Sequence, residues 1–161
     1  MDYLSAPWRA HYVKSMPQQQ GCIFCTHGSK ADDKESLVLF RGTHNFIILN
    51  RYPYTPGHLM IAPYRHLASI QDAEKSASDE MMDLLKQSLG ILTRHYRPQG
   101  FNTGMNLGHA GGAGITDHYH LHLLPRWAGD ANFMPIVSET RVFIETLDQT
   151  YEQLYPYFHP K

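Results

Sequence analysis

In the stretch DHYHLHLLPRW, Asp117 to Trp127, histidine falls at every second position: His118, His120 and His122. On a β-strand the side chains at i, i+2 and i+4 share one face. Read as a strand, the stretch lines three imidazoles along one side and turns Tyr119, Leu121 and Leu123 into apolar packing on the other. Two chemistries suit such a line. Alternating histidines are good zinc ligands. Neutral imidazole is also a nucleophile and proton carrier near pH 7. The preceding segment weighs on the choice. Residues 108–114, GHAGGAG, hold four glycines in seven positions, Gly108, Gly111, Gly112 and Gly114. Backbone amides there can approach an anion closely. A glycine-rich loop feeding a histidine strand fits phosphate better than a bare metal site, with a plain flexible connection as the alternative.

Cys22 and Cys25 are the only cysteines in the chain. Their Cys-x-x-Cys spacing lets two thiolates reach one tetrahedral ion, but that is half a site. A redox dithiol is the main rival, and it usually follows a βαβ pattern that this sequence lacks. Packing of two buried cysteines is the third reading. From the residues alone, zinc, redox and packing stay open. The pair is too close in sequence to staple a fold, which fits a cytoplasmic home.

These residues need a scaffold. LVLF, 37–40, and NFIILN, 45–50, flank RGTH and predict two strands joined by a short turn. RYPYTPG, 51–57, is a turn or loop. HLMIAP, 58–63, is a third strand, apolar enough to be covered on both faces. The polar run 28–35, GSKADDKE, reads as a loop. Met81, Leu85, Leu89, Leu92 and Tyr96 recur at helical spacing and predict a helix over 78–96. Ser76 and Asp79 give it a capping-box-like start, and Pro98 lies just past its end. NTGMNL, 102–107, predicts a short strand, and YHLHLLP, 119–125, the histidine strand. A second helix is expected over about 140–154, with Val142, Leu147, Tyr151 and Leu154 inward and Pro156 as its stop. Strands bunch rather than alternate with helices. That favours α+β, with about five strands in a mostly antiparallel sheet and two main helices, over a doubly wound fold. No repeat or linker divides residues 1–161, so one domain is expected, with 1–20 as an amino-terminal extension and 139–161 as a carboxy-terminal helix and tail.

Composition excludes some partners. The chain has 161 residues, 42% apolar and 18% charged, which is enough for a core. Net charge is -1 and no run of Lys or Arg occurs, so neither a nucleic-acid duplex nor an anionic membrane is the expected partner. No segment approaches the roughly 20 apolar residues needed to span a bilayer. The first residues, MDYLSAPWRAHYV, do not read as a signal peptide. Histidine is the outlier, with eleven. Of these His11, His27, His44, His95 and His159 read as solvated.

On these residues the sequence resembles the histidine-triad (HIT) family. His118-Tyr-His120-Leu-His122-Leu-Leu matches its His-φ-His-φ-His-φ-φ pattern. The third position is His122, not the Gln of the related galactose-1-phosphate uridylyltransferase branch. The segment from Asn50 to His58, NRYPYTPGH, is similar to the family's Asn-x(5)-Pro-Gly-His. Asn106-Leu-Gly108 resembles its element before the loop. APWRAHY and PRWAGDANFMPIV resemble one subgroup, bacterial proteins similar to diadenosine tetraphosphate phosphorylases and hydrolases.

The resemblance implies a HIT-like fold that dimerises, two five-stranded halves forming one extended sheet. It implies that His120 attacks the α-phosphorus of a nucleotide and forms a nucleotidyl-imidazole, which water or inorganic phosphate then releases. Such a reaction needs preorganised donors for the phosphate oxygens. The matching positions are His122, His118, His58, Asn106 and the backbone of Gly112, Ala113 and Gly114. Asn50 would meet the ribose, and Trp127 either stacks on a base or packs. Much of the family has Gly-Gln-Ser/Thr in the loop. Here it reads Gly-Gly-Ala-Gly-Ile-Thr, without that side-chain donor and with room for a phosphate nucleophile. Zinc-bearing bacterial members share the Cys-x-x-Cys and complete it with two histidines. The matching positions make a set of Cys22, Cys25, His66 and His118 around a structural zinc, with His109 as a spare ligand. No organic cofactor is implied.

Three functions follow. The leading one is a nucleotidyl hydrolase or transferase acting on dinucleoside polyphosphates, with nucleotide phosphoramidates as alternative substrates. The second is a nucleotide-binding or signalling module with incidental turnover, against which the intact middle histidine speaks. The third is a metal-dependent hydrolase using all three histidines as ligands, and apart from Asp117 no carboxylate accompanies the triad to support it.

Overall fold

In the computed structural model, residues 21–130 and 145–160 are described. The strands are β1 (Val38–Arg41), β2 (Asn45–Leu49), β3 (Leu59–Pro63), β4 (Gly100–Gly104) and β5 (Leu121–Arg126). They form one sheet in the order β1-β2-β3-β5-β4, with every neighbouring pair antiparallel. Among the described residues four α-helices accompany it: α1 (Ile23–Ser29), α2 (Asp33–Ser36), α3 (Lys75–Tyr96) and α4 (Leu147–Phe158). Among the described residues no helix is long and apolar enough to cross a membrane.

Strands β2 and β3 are buried along their whole length. Both faces of the sheet centre are therefore covered, as their apolar runs require. The 22-residue α3 lies across β2, β3 and β5. The opposite face receives α1, whose Phe24 reaches His118 and His120 on their side of the alternation.

Two polar clamps set these helices. Glu80 of α3 accepts hydrogen bonds from the backbone N–H groups of Thr43, His44 and Asn45 at 2.7, 2.8 and 2.8 Å and from Asn45 Nδ2 at 2.8 Å. Burial alone would raise the Glu80 carboxyl, but these donors outweigh it and hold it below its usual value. The second clamp is Arg41 of β1. It donates to Asp33 Oδ1 at 2.7 Å and to the carbonyls of Gly28 and Lys30 at 2.6 Å each. It thereby satisfies carbonyls that α1 leaves open at its end and ties that short helix to the sheet.

Removing the first clamp gives a direct expectation. Glu80→Ala strands donors at the β1–β2 turn, half of them shielded from water, and should cost about 2–3 kcal/mol. Urea unfolding would show the midpoint fall with an unchanged slope. A midpoint within error of the parent would mean that water replaces the carboxylate without loss.

Several elements depart from the sequence-based expectation. The run 28–35 is not a plain loop: α1 ends within it and Asp32 caps α2 through Glu35 N–H at 2.9 Å. The first strand is shifted to 38–41, because Leu37 takes the left-handed conformation (φ 60°) that closes α2. Helix α3 begins at Lys75, and its N-cap Glu74 makes no side-chain cap bond, so no capping box forms at Ser76. Its fully buried line is Met81, Leu84, Ser88, Ile91 and Leu92, with Leu85, Leu89 and Tyr96 flanking it half-buried. β4 lies at Gly100–Gly104, earlier than 102–107, because Gln99 and its followers pair with the end of β5. β5 begins at Leu121, later than 119. Helix α4 carries Pro156 inside it, held by burial of Leu154 and Phe158. A capping box at Thr146 and Gln149 starts it. Val142 and residues 140–144 lie outside the described residues.

Candidate active site

The register of the sheet brings distant histidines together. Ile48 pairs with Met60, and Met60 with His122, so all three lie in one row. Beyond that row the chain turns through residues 51–57, and Asn50 N–H donates to His58 O at 3.0 Å. The turn closes on Gly57, whose φ is +71° and where a Cβ would stand 2.7 Å from the Tyr96 ring. Only glycine fits there on both counts. It delivers His58 into the core, 1% exposed.

The proton positions follow from the hydrogen bonds. Tyr54 N–H donates to His58 Nδ1 at 3.2 Å. His58 therefore carries its proton on Nε2 and donates it to His122 Nδ1 at 3.0 Å. His122 in turn holds its proton on Nε2. Burial, then the neighbouring His122 and His120, push the His58 imidazole down to about 3. It stays neutral at physiological pH. Asn50 stands beside it, Oδ1 accepting from Tyr52 N–H at 2.9 Å and Nδ2 3.5 Å from His58 Nε2.

His120 is 5% exposed, and its Nδ1–H donates to the carbonyl of His118 at 3.0 Å. That bond leaves the lone pair on Nε2. Burial lowers its proton affinity, partly offset by the His118 carbonyl. Phe24 lies against the ring at 4.6 Å between centroids, and His122 meets it edge-on at 4.7 Å. The expected imidazole line thus exists, although His118 and His120 precede the strand proper. Tyr119 N–H bonds to Leu67 O at 2.7 Å and keeps the chain extended there.

His118 has both ring nitrogens committed away from this pocket. Nε2–H donates to Pro63 O at 2.8 Å, while Nδ1 lies 3.2 Å from Cys22 Sγ and 3.7 Å from Cys25 Sγ. Cys25 Sγ is 3.4 Å from His66 Nδ1. Cys22, Cys25, His66 and His118 form one group with all ligand atoms within 4.8 Å of one another, which could hold a metal ion. Two thiols and two imidazoles are the donor set of a closed tetrahedral site. The Pro63 carbonyl fixes the His118 tautomer with its lone pair toward the thiols, as outer partners of metal-ligating histidines do. His109 stands exposed outside this group.

The remaining candidates are less closely gathered. Asn106 is half-buried on the way into the glycine loop. In the loop Gly112 N–H donates to His109 O at 3.0 Å and Ala113 N–H to Gly108 O at 3.4 Å, so both amides face loop carbonyls. Gly114 is exposed. Trp127 meets Tyr96 edge-on at 6.2 Å. Five positions of extended chain separate it from His122, about 16 Å, so within this chain it packs. Of the histidines expected to be solvated, His27 has a buried Nδ1, His95 bonds Gln153 and His159 bonds Leu39 O, and His44 is half-buried. His11 lies outside the described residues. Nothing in the residue pattern marks Phe24 of α1 as a wall for two imidazoles or Tyr54 as the group that fixes a tautomer.

Comparison with known proteins agrees with this geometry. The sequence model of the HIT domain matches residues 31–129. A protein of Mycobacterium tuberculosis named AP-4-A phosphorylase is 41% identical over 154 residues, covering 91% of this chain and 79% of that one. A zinc-bound histidine triad family protein from Mycobacterium smegmatis superposes with a TM-score of 0.69 at 21% identity, over 86% of this chain and 94% of that one. A hypothetical histidine triad nucleotide-binding protein from Sulfolobus tokodaii superposes at 0.64 with 22% identity, over 85% and 89%. These two structures establish the shared fold.

Proposed function

Because the chain belongs to the HIT domain family, we propose that it cleaves dinucleoside polyphosphates, such as diadenosine tetraphosphate, at the α-phosphate. The nucleotidyl group passes through His120 and on to inorganic phosphate or water. One observation carries the reading: the Nδ1–H of His120 is bonded to the His118 carbonyl, which leaves Nε2 as a buried, uncharged nucleophile.

The chain of bonds supports the rest of the reading. His120 Nε2 attacks the α-phosphorus and the bridging P–O bond to the leaving polyphosphate breaks. Charge gathers on phosphate oxygens beside the Nε2–H of His122, whose proton position is set by His58 and, behind it, by Tyr54 N–H. A donor already in place costs no reorganisation as the charge develops. Phosphate then attacks the nucleotidyl-imidazole and restores the ring. In this reading Asn50 would meet the ribose, and Asn106 with the backbone of Gly112, Ala113 and Gly114 would meet the phosphates. That role requires the loop to open its inward bonds. The name of the M. tuberculosis relative, with the small residues of the loop, favours phosphate over water as acceptor. Diadenosine tetraphosphate incubated with phosphate should then yield ADP and ATP. AMP and ATP alone, with phosphate present, would rule phosphorolysis out, and no turnover of any dinucleotide would remove the function.

We read the thiol–imidazole group as a structural zinc site held by Cys22, Cys25, His66 and His118. The ion would supply charge and rigidity, with no coordination position left for substrate. The purified protein should carry about one zinc per chain, and Cys22→Ser should lose it and melt at least 5 °C lower. Full zinc retention by that variant would displace the site. A single HIT domain over 1–161, a homodimer and a cytoplasmic setting complete the reading. Strand β4 pairs on one side only among the described residues, and the free thiols fit a reducing compartment. Light scattering at micromolar concentration tests the dimer.

A further inference from the structure

His118 joins two devices that are otherwise separate. Its ring faces the thiols of Cys22 and Cys25, and its backbone carbonyl accepts the Nδ1–H that sets His120 for attack. A second link runs through α1. Phe24 lies between the two cysteines in sequence and touches the rings of both His118 and His120, at 5.2 and 4.6 Å. The thiols are therefore joined to the nucleophile by two short routes, one through the His118 residue and its hydrogen bond and one through the packing of Phe24.

The thiols are also placed to react with each other. Cys22 is the N-cap of α1 and Cys25 follows one turn later, with their sulfurs within 4.8 Å. Side chains one helical turn apart stand about 5–6 Å apart at Cβ, whereas a disulfide draws them to about 4 Å. Closing the bond must tighten that turn and shift Phe24. Both cysteines are half-buried and His66 is exposed, so a small oxidant can reach them. No other cysteine exists in the chain to compete.

We propose that Cys22 and Cys25 are an oxidation-sensitive clasp on the nucleophile: conversion of the two thiols to a disulfide expels the metal, releases the His118 ring and unseats His120. With hydrogen peroxide as oxidant the balance is simple. Two thiolates give up one electron pair and form the S–S bond. The O–O bond of peroxide breaks, two protons are taken up and two waters leave, and zinc departs as the hydrated cation. A dithiol reductant and zinc reverse the change.

This inference rests on His120 being the nucleophile, and the test separates the two ideas. Zinc-loaded protein is exposed to stepped hydrogen peroxide and quenched with catalase. Zinc release is followed with a chromogenic chelator, free thiols are counted, and intact mass reports the loss of two hydrogens. Turnover of diadenosine tetraphosphate is measured on the same samples. Zinc loss, thiol loss and a fall in kcat of about tenfold or more should share one time course and reverse together on reduction with zinc. Nitrogen NMR of the imidazoles reads the geometry without activity: the Nδ1–H signal of His120 should be lost in the oxidised form. A second variant, His66→Asn, keeps both thiols but weakens the metal site, and its thiols should oxidise several-fold faster. The proposal is overturned if the disulfide forms and zinc leaves while kcat and the His120 signal stay unchanged. It is equally overturned if thiols and zinc survive an exposure that abolishes turnover. If the reduced protein turns over no dinucleotide, the functional reading fails, and the NMR and zinc readouts still decide the clasp.

Discussion

His120→Asn should abolish turnover while leaving a folded protein that still binds nucleotide. The asparagine amide can donate to the His118 carbonyl in place of Nδ1–H, so the local backbone keeps its partner. It offers no nucleophilic lone pair at the position of Nε2. Loss of a covalent nucleophile removes the route rather than slowing one step, and the expected fall in kcat is on the order of 10⁴-fold or more. The parent enzyme, quenched in mid-reaction with labelled substrate, should carry an acid-labile nucleotidyl group that the variant lacks. The opposing result is clear. A variant within tenfold of the parent, or label on another residue, would mean that the buried ring only shapes the pocket. The metal-hydrolase alternative makes a different forecast, loss of activity on chelation with the fold intact. The bonds speak against it, since the His118 ring points to the thiols and His122 Nδ1 is held by His58.

The site was legible in the sequence where its geometry is local. Alternation alone places His118, His120 and His122 on one side, and the structure keeps that alternation even where the strand has not formally begun. The resemblance, not the spacing, pointed to His58, because its contact with His122 spans 64 positions of chain. The same holds for His66 and His118 beside the two cysteines. Periodicity could not divide the work of the three histidines. It shows a common face, whereas the roles depend on what each ring nitrogen bonds, and those partners are the Pro63 carbonyl, the His118 carbonyl and the His58 ring.

The fold was legible where burial follows a period. Three strands and α3 are long and apolar enough to declare themselves. Helix α1 did not, because IFCTHGS is short and lacks an amphipathic stripe. It stands because Arg41, from 11 to 13 positions further on, takes its terminal carbonyls. Pro156 misled for the reverse reason. Its ring lacks an N–H and disfavours helix interior positions, yet Phe158 beyond it is 3% exposed and its ring meets Phe40 at 6.3 Å. Tertiary packing outweighs the lost bond in the final turn. Propensity records local cost, and both errors arose where a distant contact exceeded it.

Replacing His58 tests the same network through pH. In the folded protein its imidazole is pushed down to about 3, against an ordinary value of 6.5. Between those values the unfolded chain binds a proton that the folded chain refuses. Stability therefore increases with pH across this window, is fully present above 6.5, and is lost as pH falls toward 3. For a ring that is 1% exposed the whole window corresponds to about 5 kcal/mol. His58→Phe removes this titration. Its unfolding free energy should fall less steeply below pH 6.5 than that of the parent, by up to about 1.4 kcal/mol per pH step. At neutral pH the variant should also lose kcat by about tenfold or more, because His122 Nδ1 no longer receives the Nε2–H that keeps its own proton on the substrate side. KM should change less, since the His58 ring, which the resemblance put among the phosphate donors, spends Nε2–H on His122 and Nδ1 on Tyr54 N–H. Urea midpoints of both proteins from pH 4 to 8 decide the matter. Parallel curves would mean that His58 takes up its proton as readily in the fold as in the unfolded chain, and the acceptance of Tyr54 N–H by its Nδ1 would have to be abandoned.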